Sequence, residues 1–189
     1  MNFLLSNPTL RILLSGSALV HLSSAMLGPI YALFVKDIGG SLLDASAAGT
    51  TYAISAGIII LLFGKLSDNV RQPKYILMAG YIILGCGFLL YTTVSSMLTL
   101  LLVQIVVGFG EALYSPAFDK LYSEHLDKGK SGTEWGFWEA MYYFTTALGA
   151  FLGGFLVYYY GFTVLFVTMA MLCFCSATYI HFASKKILT

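Results

Sequence analysis

The stretch GKLSDNVRQPK, residues 64–74, holds four of the chain's 19 charged side chains (Lys65, Asp68, Arg71 and Lys74) in eleven positions. Long apolar runs flank it on both sides. Hydrophobic residues make up 58% of the 189, charged residues 10%, and the mean hydropathy is +0.82. A water-soluble domain of this length needs far more charge to cover its surface, so the composition is that of an integral protein of the lipid bilayer. A net charge of +1 lacks the concentrated basic face that nucleic acid requires. The three cysteines, Cys86, Cys173 and Cys175, lie within apolar runs and read as packing residues; no metal and no cofactor is expected.

A membrane-spanning helix takes about 20 mostly apolar residues. Six such runs are expected, over 10–35, 45–63, 75–93, 97–118, 135–159 and 162–183. They make a single all-α transmembrane domain over residues 1–189. Ser23-Ser24-Ala25 imitates a leader cleavage site, but the apolar run continues to Val35, as expected of a retained span. Six spans put both termini on one side. Arg11, Lys65, Arg71, Lys74, Lys120, Lys128, Lys130, Lys185 and Lys186 then share that side, leaving Lys36 alone opposite. The positive-inside bias predicts cytoplasmic termini in a plasma-membrane protein. The polar link 119–134 is expected to lie along the cytoplasmic membrane surface.

Helical spacing shows which faces avoid hydrocarbon. Ser17, His21, Ser24 and Gly28 follow one another along the first span, and Gln104, Gly108, Glu111 and Ser115 along the fourth. The fifth carries Trp135, Glu139, Tyr142, Thr146, Gly149 and Gly153, and the second a weaker pair, Thr51 and Ser55. The third and sixth have no comparable stripe and read as lipid-facing scaffold. An acidic side chain near a bilayer centre costs roughly 2.5–3.5 kcal/mol on insertion scales. Glu111 and Glu139 therefore admit two readings: hydrogen bonds that hold the bundle together, or groups in a wet cavity that bind solute or a proton. Desolvation favours the protonated form of a carboxyl group, which suits proton exchange. His21 admits the same two readings, while Trp138 and Tyr142 form either an interfacial belt or the wall of a pocket for an apolar or cationic ligand.

With these features in hand, GKLSDNVRQPK resembles the signature loop of the major facilitator superfamily, Gly-x-Leu-x-Asp-Arg-x-Gly-Arg-Arg/Lys. Gly64, Leu66 and Asp68 match in place; Asn69 and Arg71 depart, and the basic group arrives at Lys74. QIVVGFGEALYSP (104–116) resembles the family's Arg-x-x-x-Gly-x-Gly-x-Ala stretch with Gln104 in place of arginine, and GAFLGG (149–154) an exchanger element with Ala150 in place of proline. The resemblance implies one six-helix half of a two-half fold, built as an inverted three-plus-three repeat. An echo of Gly64-x-Leu66 in Gly154-x-Leu156 fits that repeat. It implies a secondary transporter of a small solute working by alternating access, with proton coupling through Glu111 or Glu139 and multidrug efflux among the options.

Gly64, Asp68, Arg71, Lys74 and Asp119 are expected to form a cytoplasmic gating latch. A polar face with nothing opposite predicts a parallel homodimer, with Ser55, Gly149 and Gly153 allowing close approach at its interface. Other readings stay open: a partner half of different sequence, a longer chain, a channel, an intramembrane enzyme, or a six-helix protein that transports nothing. No catalytic residue is expected, because neither a Gly-x-Ser-Gly nucleophile pattern nor His-Glu-x-x-His is present.

Overall fold

The computed structural model describes residues 7–69 and 72–184, with side chains over 7–63 and 72–183. Every regular element among them is helical. α1 (Pro8–Ala25) opens on Asn7, whose Oδ1 accepts the Thr9 and Leu10 N–H groups at 3.1 and 3.4 Å. Pro8 occupies the first turn, where its missing N–H would have had no partner. The expected first span is not one helix. It breaks at a short 3-10 turn (Gly28–Ile30) around Pro29, which has no N–H to continue the ladder, and resumes as α2 (Tyr31–Asp37).

α3 (Leu42–Asn69), α4 (Pro73–Leu90), α5 (Met97–Glu124) and α6 (Ser131–Ser184) follow. The charged stretch 64–74 is therefore mostly helix: 64–69 extend α3, and Pro73 and Lys74 open α4. α5 likewise runs past the expected end at 118 to Glu124, shortening the link before α6 to residues 125–130.

Five helical stretches among the described residues are long and apolar enough to cross a membrane. The last is too long for one crossing: 54 residues make about 80 Å of helix against a hydrocarbon core of about 30 Å. It is broken at Gly161, whose φ of 81° and ψ of 174° are not helical. On the first limb, Gly149 meets Leu22 and Ala25, and Gly153 meets Met26, so numbering rises together with α1. On the second, Ser23 meets Met169 and Gly16 meets Ser176, so numbering runs against α1. The chain reverses at Gly161.

The helices form a row: α3 beside α5, α5 beside α4, α4 beside the second limb of α6, and α1 between the two limbs. In lipid no hydrophobic drive pulls helices together, and close packing does the work. At the α4–α5 crossing, a Cβ on Gly80 would lie 2.7 Å from the Tyr114 nitrogen and 2.9 Å from the Gly110 oxygen. Between the helices Leu77, Tyr81, Leu84, Phe166 and Met169 are buried.

The third and sixth spans are inner members of the row and pack on two sides, yet each still exposes apolar side chains, Ile82 (45%) on α4 and Met171 (55%) and Phe182 (62%) on the second limb of α6. The most exposed faces belong to α3 (Leu61 80%) and the first limb of α6 (Phe144 76%). One expectation is corrected here. Ser55, Gly149 and Gly153 are turned inward rather than toward a second copy. Ser55 donates to the Ile105 carbonyl at 3.3 Å, and the two glycines are buried against α1, where a side chain would overlap backbone.

Candidate functional site

The break in the first span opens a cavity of about 270 Å³, lined by Ser24, Gly28, Tyr31, Tyr52, Gln104 and Glu111 among apolar neighbours. Every polar group in it has a structural origin. Gln104 and Glu111 lie seven residues apart on α5 and so share a face. Tyr31, the first residue of α2, continues the face of Ser24 and Gly28 past Pro29, and its hydroxyl oxygen accepts a hydrogen bond from the Gln104 amide. Glu111 Oε1 accepts the Tyr114 hydroxyl at 2.7 Å, and the residue is half-buried on the cavity wall. Tyr91 also lines it, stacked on Phe166 at 5.0 Å and met edge-on by Phe34 at 5.7 Å. An acid and an amide held in an apolar chamber can bind a polar or cationic group while hydrocarbon surrounds the rest of the ligand.

The other expected pathway residues stand apart from this chamber. His21 is half-buried on α1, edge-on to Tyr142 at 5.2 Å and to Trp138 at 6.0 Å. Trp138 and Tyr142 stack at 6.0 Å, with Phe118 and Trp135 against Trp138. Glu139 is exposed. The expected set is thus divided between a chamber on α5 (Gln104, Glu111) and an aromatic cluster between α1 and the first limb of α6 (His21, Trp138, Glu139, Tyr142).

Of the latch residues, Arg71 and the surroundings of Gly64 and Asp68 fall outside the described residues. Lys74 is buried at 6%, with Nζ 5.4 Å from the Tyr75 ring centre, and Asp119 is exposed on α5. Elsewhere on that end, Asn7 Nδ2 donates to the His125 carbonyl at 3.0 Å, and the Glu134 carboxylate accepts the Asp127 N–H at 2.9 Å. These bonds tie the start of α1 and the first turn of α6 to the α5–α6 link.

Sequence reasoning missed Tyr31, Tyr52 and Tyr91. For two of them a signal existed: Tyr31 extends the spacing of Ser17, His21, Ser24 and Gly28 by three residues, and Tyr52 follows Thr51, at the head of the weak polar pair on the second span.

The model of the family described as Major Facilitator Superfamily matches residues 13–186. The chain is 28% identical over 157 residues to the uncharacterized MFS-type transporter YitZ of Bacillus subtilis, covering 82% of this chain and 93% of that protein. It is 26% identical over 162 residues to the multi-drug resistance efflux pump PmrA of Streptococcus pneumoniae, covering 82% of this chain but 39% of the pump. The matched region takes in every helix that lines the chamber and the aromatic cluster: the chain belongs to the major facilitator superfamily, as an integral, multi-pass membrane protein.

Proposed function

We propose that the chain is a secondary transporter that moves a small organic cation by alternating access, as a parallel homodimer with both termini cytoplasmic. The observation that carries this reading is Glu111 on the wall of an apolar chamber beside Gln104 and Tyr31. A volume of about 270 Å³ falls just short of the range of small-molecule sites, roughly 300–1,000 Å³, which suits a chamber completed by a second copy. The relative PmrA is named a multi-drug resistance efflux pump, and aromatic walls with one acid favour the amphipathic cations such pumps meet. Glu111 or Glu139 would carry the coupling proton.

Six crossings in an inverted three-plus-three arrangement underlie this proposal. The two limbs of α6, opposed along α1, supply the fifth and sixth. The neighbour pattern keeps its form when spans one, two and three are exchanged with four, five and six: one beside five and six, four beside two and three, three beside six. A sequence register supports the same exchange. Asp37-x-Gly39-x-Ser41-x-x-Asp44 returns 90 positions later as Asp127-x-Gly129-x-Ser131-x-x-Glu134. Both glycines hold positive φ, 84° and 78°. The Gly64 and Gly154 echo has the same spacing.

A second copy is favoured by the exposure of Glu139 on a membrane helix, since an acid left against hydrocarbon is expensive. α3 and the first limb of α6 end the row and are the faces a partner would cover. The 39% share of PmrA favours a second reading, in which this unit pairs with a different half. On the cytoplasmic side, Gly64, Asp68, Arg71, Lys74 and Asp119 would latch one state of the cycle.

Purified protein in lipid vesicles should accumulate radiolabelled methyl viologen, a flat aromatic cation, with saturation. Glu111→Gln should slow that flux at least ~10-fold, about 1.4 kcal/mol of lost stabilisation. Ohmic current, or flux indifferent to Glu111→Gln, would overturn the reading.

A further inference from the structure

The 90-position register that relates the two loops also pairs Tyr52 with Tyr142 and Glu111 with His21. The register carries one contact into another: Tyr52 and Glu111 line one chamber, and their counterparts Tyr142 and His21 meet with ring centres 5.2 Å apart. The aromatic cluster therefore repeats, with the two repeats exchanged, the pairing of an ionisable group on the first helix of one repeat with a tyrosine on the second helix of the other.

Two buried polar atoms beside the cluster lack partners among the described residues. Ser17 is 3% exposed and lies one turn from His21 on the same face of α1, yet its hydroxyl is unpaired. Trp138 Nε1 is also buried without an acceptor, although its ring lies 6.0 Å from His21. Buried donors without partners are rare and call for a ligand or its water. Glu139 lies one turn from Tyr142 and brings a carboxylate to the open side.

We infer that Ser17, His21, Trp138, Glu139 and Tyr142 form a second solute station, the repeat-related counterpart of the Glu111 chamber, binding the same class of flat aromatic cation. The stacked indole and phenol rings supply cation–π faces and Glu139 the opposite charge. A two-fold axis in the membrane plane sets equivalent sites on opposite sides of the midplane. The two stations thus serve opposite faces of the membrane, and a solute passes from one to the other. The station presupposes the transport activity proposed above.

The two tryptophans of the chain, Trp135 and Trp138, are 5.8 Å apart in this cluster, and neither lines the Glu111 chamber. Indole emission therefore reports the second station. In Trp135→Phe protein, methyl viologen, which quenches indole on contact, should quench Trp138 saturably. The midpoint should stay within about twofold in Glu111→Gln and rise about tenfold or more in His21→Gln and Glu139→Gln. Each variant is compared at matched melting temperature and elution volume, with His21→Asn replacing any His21→Gln that fails to fold. Quenching that ignores the His21 and Glu139 changes, or that is absent while vesicles still carry methyl viologen, overturns the station and leaves the transport reading intact. Loss of both flux and quenching in the unmodified protein overturns both.

Discussion

The Gly153 backbone lies directly against Met26, so close that a Cβ at 153 would overlap the Met26 carbonyl oxygen. The contact falls where α1 ends and the first span breaks, and it presses the first limb of α6 onto that break. Gly154, one residue on, has open space around the same construction.

Gly153→Ala should therefore destabilise the protein and Gly154→Ala should not. Overpacking against backbone costs about 1–3 kcal/mol, and chains of this size lose about 2–4 °C of Tm per kcal/mol. Thermal unfolding of the two variants in detergent, side by side, checks this. Equal melting temperatures would contradict the packing described.

Gln104→Leu should remove the hydrogen bond between α5 and the Tyr31 hydroxyl. Stability should fall by about 1 kcal/mol, the net worth of such a bond, and the KM for methyl viologen should rise. Tyr31→Phe should reproduce the stability loss. A normal KM in both variants would make the pair a strut and exclude it from solute binding.

A pair of engineered cysteines tests the second copy. Ile54 and Leu148 are 57% and 50% exposed on α3 and the first limb of α6. Ile54 lies about a dozen residues after Leu42 and Leu148 about a dozen before Gly161, ends that share one side of the membrane in the proposed six-crossing arrangement. Ile54→Cys with Leu148→Cys, in a background without Cys86 and Cys175, should form an intermolecular disulfide in native membranes. Persistently monomeric protein on non-reducing gels would argue for lipid, or a different half, on that face.

For the latch, Asp68→Asn should impair methyl viologen flux severalfold while leaving insertion and cross-linking unchanged. Undiminished flux would reduce Asp68 to ordinary surface charge at the end of α3.

Much of this arrangement was legible in the sequence. Composition and the spacing of apolar runs identify a helical membrane protein, and the signature stretch at 64–74, the helix stretch at 104–116 and the glycines of 149–154 together point to the family that the match over residues 13–186 shows. Helical spacing also picked out Gln104 and Glu111 as one face. It could not identify the surface that each face meets. Gly149 and Gly153 announced a close approach, but a missing side chain says nothing of its neighbour, and the neighbour is α1 rather than a second copy. The polar residues in 64–69 looked like a loop because helix ends in water carry the same side chains as connectors. Tyr31 was overlooked although it continues the stripe of Ser17, His21, Ser24 and Gly28 by three more residues, because the stripe was read only as far as its last small or polar member and a tyrosine beyond Pro29 looks apolar.

The single-residue reversal at Gly161 limits how the second half can rearrange. One residue spans at most about 3.5 Å, so the two limbs of α6 are denied any long axial slip past each other. Shear between them is closed off, and whatever relative motion they undergo must be a swing about Gly161, with the amplitude greatest at the ends far from it.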